Sequence, residues 1–390
     1  MHILYDHQIF EMQSYGGISR YFYELINNSR RQNDVVAELI IKRTNNIYLN
    51  KDTFFKEQIQ KINSYYDFIP HVRFKGKMRL YEILKKIGKI PDYKKINMDA
   101  TIDKLKTGNF NIFHPTYYND YFLDYLEKKP FVLTIYDMIY EIYPEFFYKY
   151  YDDIKMKQKL ALKAQKIVTI SNNTKKDIIN FFEIDGNRIE VIYLASSIKD
   201  QFDVRENNFA APIPGNYILF VGSRNGYKNF YFFIRAISNI LKSDKDLNVV
   251  CAGGGAFSNE EKCFFEALEI NKQLKNFDIC DDKFLSFLYS NALFFIFPSL
   301  YEGFGLPILE AFSCGCPVIS SNTGALMEIA GDAVIYFSPK DINSIYDTVR
   351  EVINDSSLRK GLIKKGMNRI KEFTWEKTVE QTKRVYESII

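Results

Sequence analysis

Arg224, Lys228, Glu302 and Glu310 have the types and spacing to hold a phosphorylated, hydroxyl-rich ligand. The two cations share the segment Gly222-Ser223-Arg224-Asn225-Gly226-Tyr227-Lys228-Asn229, which follows the apolar run Tyr217–Val221 and precedes a helical pattern. A glycine-bearing turn lets backbone approach a ligand closely, and a helix N-terminus favours anions. Fixed positive charge on the same loop suits a diphosphate. Glu302 and Glu310 flank Gly303-Phe304-Gly305-Leu306-Pro307, after a run ending at Phe297 that reads as a buried strand. Gly303 and Gly305 free backbone N–H groups for a sugar hydroxyl or a phosphate oxygen. Pro307 is expected at the first position of the following helix, with Glu310 in its first turn. Two carboxylates about one loop apart can accept hydrogen bonds from two parts of one ligand, such as a hexose and a ribose.

Other segments carry weaker signals. Gly253-Gly254-Gly255 suits either close ligand approach or a tight turn. Neither Gly-x-x-x-x-Gly-Lys-Ser/Thr nor Gly-x-Gly-x-x-Gly occurs at the first glycine loop, so a Walker site and a nicotinamide cofactor lose their main support. Asp244-x-Asp246 lies before its strand in a Lys-rich turn and reads as surface. His7 and His114 lie beside site segments, and either reads equally as a structural histidine. No motif nominates a carboxylate nucleophile for a double displacement.

The elements that must position these residues are short apolar runs alternating with helical patterns, as in stacked βαβ units with parallel sheets. Strands are expected at His2–Tyr5, Asn111–Phe113, Phe131–Ile135, Ile167–Ile170 and Glu190–Tyr193. After a polar break at Asp200–Gly215, with Pro212 and Pro214, the pattern restarts at Tyr217–Val221, Leu247–Ala252, Leu293–Phe297 and Val318–Ser320. The length of 390 residues fits two domains. They are expected at 1–204 and 205–372, with 373–390 a helix returning to the first.

Composition narrows the function. Hydrophobic residues at 46% and charged residues at 26% are globular values, which excludes disorder. A net charge of +4 is too small to make nucleic acid a default partner. Between Arg73 and Lys95, nine Lys or Arg face Glu82 and Asp92, with Phe74, Tyr81 and Tyr93 interleaved. That stretch reads either as a solvated face or as a contact with an anionic membrane. No run reaches membrane-spanning length, the N-terminus lacks a signal-like apolar region, and five cysteines lack zinc spacing. A cytoplasmic protein, peripheral at most on the inner membrane face, is expected.

The segment Glu302–Glu310 resembles the Glu-x7-Glu signature of retaining, family-4-type glycosyltransferases of the two-Rossmann (GT-B) fold. Tyr5-Asp6-His7-Gln8-Ile9-Phe10, Tyr15-Gly16-Gly17-Ile18-Ser19-Arg20-Tyr21 and Thr134-Ile135-Tyr136-Asp137-Met138 are similar to bacterial polysaccharide and lipopolysaccharide mannosyltransferases. The resemblance implies an α/β fold of two Rossmann-like domains facing across a cleft, with a C-terminal helix packed across both. It implies that Gly16 and Gly17 approach the donor diphosphate from the first domain, while Gly222, Arg224 and Lys228 bind it from the second. Glu302 with the amides of Gly303, Phe304 and Gly305 would hold the donor sugar, and Glu310 the ribose. Tyr136 stands where many relatives have His, beside Asp137 at the implied catalytic centre. Its phenol, with an ordinary pKa of about 10, is no general base at neutral pH.

The implied reaction is metal-independent and needs no cofactor. A hexose passes from a nucleotide diphosphate sugar, GDP-mannose or alternatively a UDP-sugar, to a glycan or polyprenyl-linked acceptor. A sugar-nucleotide epimerase on the same fold and a catalytically dead scaffold are the alternatives.

Overall fold

The computed structural model describes residues 1–61, 74–86, 92–198, 215–224, 226–279 and 281–390. The expected domain junction at 204/205 and all of the polar break but Gly215 lie outside the described residues, as do Arg73, Lys89 and Asn225.

The first half contains β1 (His2–Tyr5), β2 (Val36–Leu39), the short pair β3 (Arg43–Thr44) and β4 (Gln60–Lys61), then β5 (Ile112–His114), β6 (Val132–Ile135), β7 (Lys166–Thr169) and β8 (Ile189–Val191). Two parallel sheets form, in the orders β2-β1-β5 and β6-β7-β8. A parallel bridge between Phe113 and Phe131 sets β5 beside β6, so the two run on as one layer. The second half contains β9 (Tyr217–Val221), β10 (Asn248–Ala252), β11 (Leu274–Phe277), β12 (Phe294–Phe297), β13 (Val318–Ser321) and β14 (Ile335–Phe337). Its parallel order β11-β10-β9-β12-β13-β14 is that of a doubly wound nucleotide-binding sheet, with the switch point between β9 and β12.

The alternation along these strands explains why the sheet is covered on both faces. Ile218, Phe220, Phe294 and Ile296 enter a core formed with helices Phe230–Ser243 and Ile342–Asn354. Tyr217, Leu219, Val221, Phe295 and Phe297 point the other way, into a core that continues into the first domain through Tyr5, Phe22 and Phe113. The expected strands match within one or two residues at each end. The edge strands β2 and β14, and β11, escaped the sequence reading because they are short and only partly buried.

The C-terminal helix Trp375–Glu387 packs on helix Gly17–Ser29 of the first domain. Its Tyr386 hydroxyl meets Tyr5 Oη at 2.8 Å and His114 Nδ1 at 2.7 Å, while His114 Nε2 lies 2.9 Å from Thr134 Oγ1. His114 is fully enclosed and does not reach the cleft, and burial lowers its pKa to about 3. The folded protein refuses a proton that the unfolded imidazole accepts near 6.5. The stability contributed by this group is therefore complete above pH 6.5 and is lost as pH falls toward 3. Between pH 7.5 and 5 the loss should be about 2 kcal/mol. In urea unfolding, the advantage of the parent over His114→Gln should shrink by that amount across this range; a difference independent of pH would contradict it.

Candidate functional site: a cleft between two sheets

The loops after β9 and β12 leave the carboxyl ends of adjacent strands at the switch point, where open α/β sheets bind ligands. Lys228, in the turn Gly226–Lys228, donates to Glu302 Oε1 at 2.6 Å. Both side chains keep 14% exposure, so the pair stays in contact with solvent in the cleft. Gly305 has φ +113°, a left-handed conformation that glycine accepts, and caps helix Leu306–Ser313. Pro307 is the second residue of this helix and Glu310 the fifth, each one step further in than expected. The helix starts at Leu306 because Gly305 supplies the cap.

From the first domain, Tyr136 and Asp137 follow β6, and Gly16 and Gly17 open helix Gly17–Ser29. The fit between the two loops is close: a Cβ on Gly303 would stand 1.9 Å from the Tyr136 carbonyl oxygen. A cavity of about 310 Å³ lies between the domains, with Gly17, Tyr136, Asp137, Tyr227, Glu302 and the 303–307 backbone among its walls. Tyr136 is buried, its hydroxyl has no hydrogen-bond partner, and burial holds its phenol well above the usual range. An unmet buried hydroxyl costs about 1 to 3 kcal/mol.

Arg224 is placed differently from expectation. It is buried, donates from Nε to Glu261 Oε1 at 2.5 Å, and reaches the carbonyls of Gly253, Gly254, Gly255 and Ala256 at 2.9 to 3.3 Å. Those glycines have φ of +71° to +87°, and a Cβ on Gly254 would come within 2.8 Å of the guanidinium. The glycine turn is therefore wrapped around Arg224. Glu261 is itself fixed in a capping box with Ser258. Burial alone would raise the Glu261 carboxyl, but hydrogen bonds from Arg224 and Ser258 outweigh it and hold it low. Of the two expected diphosphate cations, Lys228 faces the cleft, whereas the arginine secures the neighbouring loop.

Glu310 also has an unforeseen partner. Arg20 crosses from the first domain and donates from Nη1 to Glu310 Oε1 at 3.0 Å, from Nε to Tyr48 Oη at 3.0 Å, and from Nη2 to Tyr15 Oη and Asp282. Tyr289 donates to Glu310 Oε2 at 3.2 Å. Both carboxylate oxygens are thus engaged, with Glu310 buried and Asp282 still partly open to solvent. Burial pushes the Glu310 carboxyl up, and Arg20 opposes that shift. Arg20 stood inside a motif already singled out, but nothing local pointed to Asp282, Tyr15 or Tyr289.

Asp244 Oδ1 accepts the N–H groups of Asp246 and Leu247 in an exposed turn, so this pair caps a loop. His7 bonds Thr101 Oγ1 through Nδ1 at 3.0 Å and borders a different cavity, in the first domain.

Comparison with known proteins bears on the family and the fold. Residues 203–369 match the family described as glycosyl transferases group 1. O-antigen chain mannosyltransferase B of Escherichia coli is 30% identical over 233 residues, 57% of this chain and 60% of that protein. The chain spans about 60% of the length of this and a second curated relative, the O-antigen chain mannosyltransferase RfbU of Salmonella typhimurium. Among solved structures, sucrose-phosphate synthase from Thermosynechococcus elongatus superposes with a TM-score of 0.73 at 17% identity, covering 99% of this chain and 98% of that one. Anabaena HepE, solved in complex with UDP and glucose, gives 0.70 at 14% identity and 99% coverage of both chains. Residues 203–369 are thus similar to the group 1 glycosyl transferases, and the chain as a whole has a GT-B fold.

Proposed function

We propose that the chain transfers a hexose with retention from a nucleotide diphosphate sugar to a glycan or polyprenyl-linked glycan in surface polysaccharide synthesis. The observation that carries this is the Lys228–Glu302 pair at the switch point, of which Glu302 lines a cavity walled from the other side by Tyr136 and Asp137. Mannose carried by GDP is the donor suggested by the mannosyltransferase relatives; a UDP-sugar is the alternative suggested by the UDP bound to HepE. In this reading Lys228 and the N-terminus of helix Leu306–Ser313 stabilise charge on the departing diphosphate. Glu302 and the backbone of Gly303–Gly305 orient the sugar. The bond from the anomeric carbon to the diphosphate breaks, and the acceptor oxygen bonds that carbon on the same face. The acceptor proton passes to a diphosphate oxygen, so neither a protein nucleophile nor a metal is required.

Glu310 receives the ribose hydroxyls in this reading, with Arg20 giving up its bond to Oε1. Arg224 acts through the 253–256 turn and does not touch the phosphates.

Lys228→Ala should lower kcat/KM by roughly 30- to 1000-fold, the effect of removing about 2 to 4 kcal/mol of transition-state stabilisation, with little change in melting temperature. Arg224→Ala, which leaves Glu261 buried and unpaired, should instead lower the melting temperature clearly. Parent turnover should survive EDTA. Turnover of Lys228→Ala within threefold of the parent, or loss on chelation restored by Mg²⁺, would sink the assignment.

A second proposal concerns the membrane. Helix Lys77–Lys86 leaves Met78, Leu80 and Ile83 exposed, with Phe74 just before it, among Lys75, Arg79 and Lys86. Apolar and basic residues exposed together suit an anionic leaflet. Lys94 and Lys95, from the same basic stretch, line the first-domain cavity instead. Changing Lys75, Arg79 and Lys86 to Gln should reduce co-sedimentation with phosphatidylserine vesicles at 0.1 M salt, where the Debye length is about 10 Å. Equal sedimentation of the two proteins, or none by the parent, would refute the contact.

A further inference from the structure

We propose that Gln13 is a further contact of the donor site, its side-chain amide donating from Nε2 to an oxygen of the nucleotide diphosphate. The identity of that ligand rests on the reading above; the orientation of the amide rests on its own geometry.

Gln13 caps the C-terminus of helix Gln8–Met12, the short helix after β1, and lines the inter-domain cavity with Gly17 and Ile18. Its backbone is held at both polar groups. The N–H donates to the Ile9 carbonyl at 2.9 Å, and the carbonyl accepts Asn46 Nδ2 at 2.7 Å. Asn46 is itself buried, and its Oδ1 caps helix Ile47–Lys51. At the side chain, Gln13 Oε1 accepts the backbone N–H of Ser19 at 3.0 Å. Helix Gly17–Ser29 follows Gly16, which has no side chain to cap it. Gln13 supplies the missing acceptor from outside the helix.

That bond also decides which way the amide faces. A backbone N–H is accepted by the oxygen of a glutamine, never by its NH₂ group. Nε2 is the end left over, and among the described residues it has no hydrogen-bond partner. Gly16 makes room for the amide: a Cβ there would stand 2.4 Å from Oε1 and 3.2 Å from Nε2.

The neighbouring backbone groups are donors as well. The N–H groups of Gly17 and Ile18 open the helix and have no acceptor among the described residues. The Gly16 carbonyl is already taken, by Arg20 N–H at 3.0 Å and Ser19 Oγ at 3.1 Å. Donors with no free acceptor beside them suit phosphate oxygens, which accept, better than a hydroxyl, which must also donate. The carboxylates of the cavity, Asp137 and Glu302, stand on the loops after β6 and β12. They suit the sugar hydroxyls, and Lys228 offsets the charge of Glu302.

Gln13→Glu separates the two ends of the side chain. Its carboxylate keeps an acceptor for the Ser19 N–H, and negative charge suits a helix N-terminus, so folding should be preserved. At the other end a donor becomes an anionic oxygen placed against the diphosphate. Gln13→Ala removes both ends and serves as the control for the cap.

GDP, UDP, GDP-mannose and UDP-glucose are titrated by calorimetry into the full chain and both variants, with thermal unfolding measured alongside. Gln13→Glu should melt at or above the parent, and Gln13→Ala below it. Gln13→Glu should bind the diphosphate that the parent prefers at least tenfold more weakly. Equal affinity of the parent and Gln13→Glu for that diphosphate overturns the contact and leaves the donor site standing. A loss confined to the sugar nucleotides also overturns it, because the amide would then face the sugar. Gln13→Glu melting as low as Gln13→Ala removes the cap that orients the amide, and the proposal with it. If the parent binds none of these ligands, the donor reading itself fails.

Discussion

Arg20 reaches from a first-domain helix to carboxylates on two second-domain helices, and that contact holds the cleft closed. Its guanidinium serves Glu310 and Asp282 from the second domain and Tyr15 and Tyr48 from the first. Desolvating such charges is expensive, and the cost is offset only when nearly every donor and acceptor is matched, as here. The consequence is directional. Removing one member strands the others, so the network favours a closed cleft until a ligand offers equivalent hydrogen bonds. Around it the closure is reinforced by Gly303 against the Tyr136 carbonyl and by Glu328, which accepts the N–H groups of Asn172 and Asn173 at the start of helix Asn172–Phe182.

Local chemistry and distant chemistry were unequally legible in the sequence. β9 and β12 read clearly because both of their faces are buried and their runs are apolar throughout, whereas Val36–Leu39 carries Glu38 at a partly exposed edge. Lys228 and Glu302 could be nominated because each follows its strand directly, so the fold alone brings both to one end of the sheet. Arg224 could not be placed in the same way. Its side chain is captured by Glu261, 37 residues further along the chain and anchored by its own cap. Asp282 is separated from Arg20 by 262 residues, a pairing that only the tertiary fold defines.

The same contrast separates the two cavities. Tyr136 is read from sequence as a replacement at a catalytic position, but its surroundings give it a structural part as well. Its backbone joins Tyr118, and Lys157 steadies the adjoining carbonyl of Asp137. One wall therefore faces the inter-domain cavity on one side and an aromatic cavity on the other.

The central claim is that Glu310 is shared in turn by Arg20 and a nucleotide ribose. Calorimetric titration of GDP and UDP, each beside its 2′,3′-dideoxy form, into the parent and Arg20→Ala tests it most directly. The account predicts that the parent binds one of the two diphosphates at least tenfold more tightly than its dideoxy form. It also predicts that Arg20→Ala, freed of the competing guanidinium, binds the ribose form more tightly still. Equal affinity for the ribose and dideoxy forms, or weaker binding of the ribose form on loss of Arg20, would contradict it.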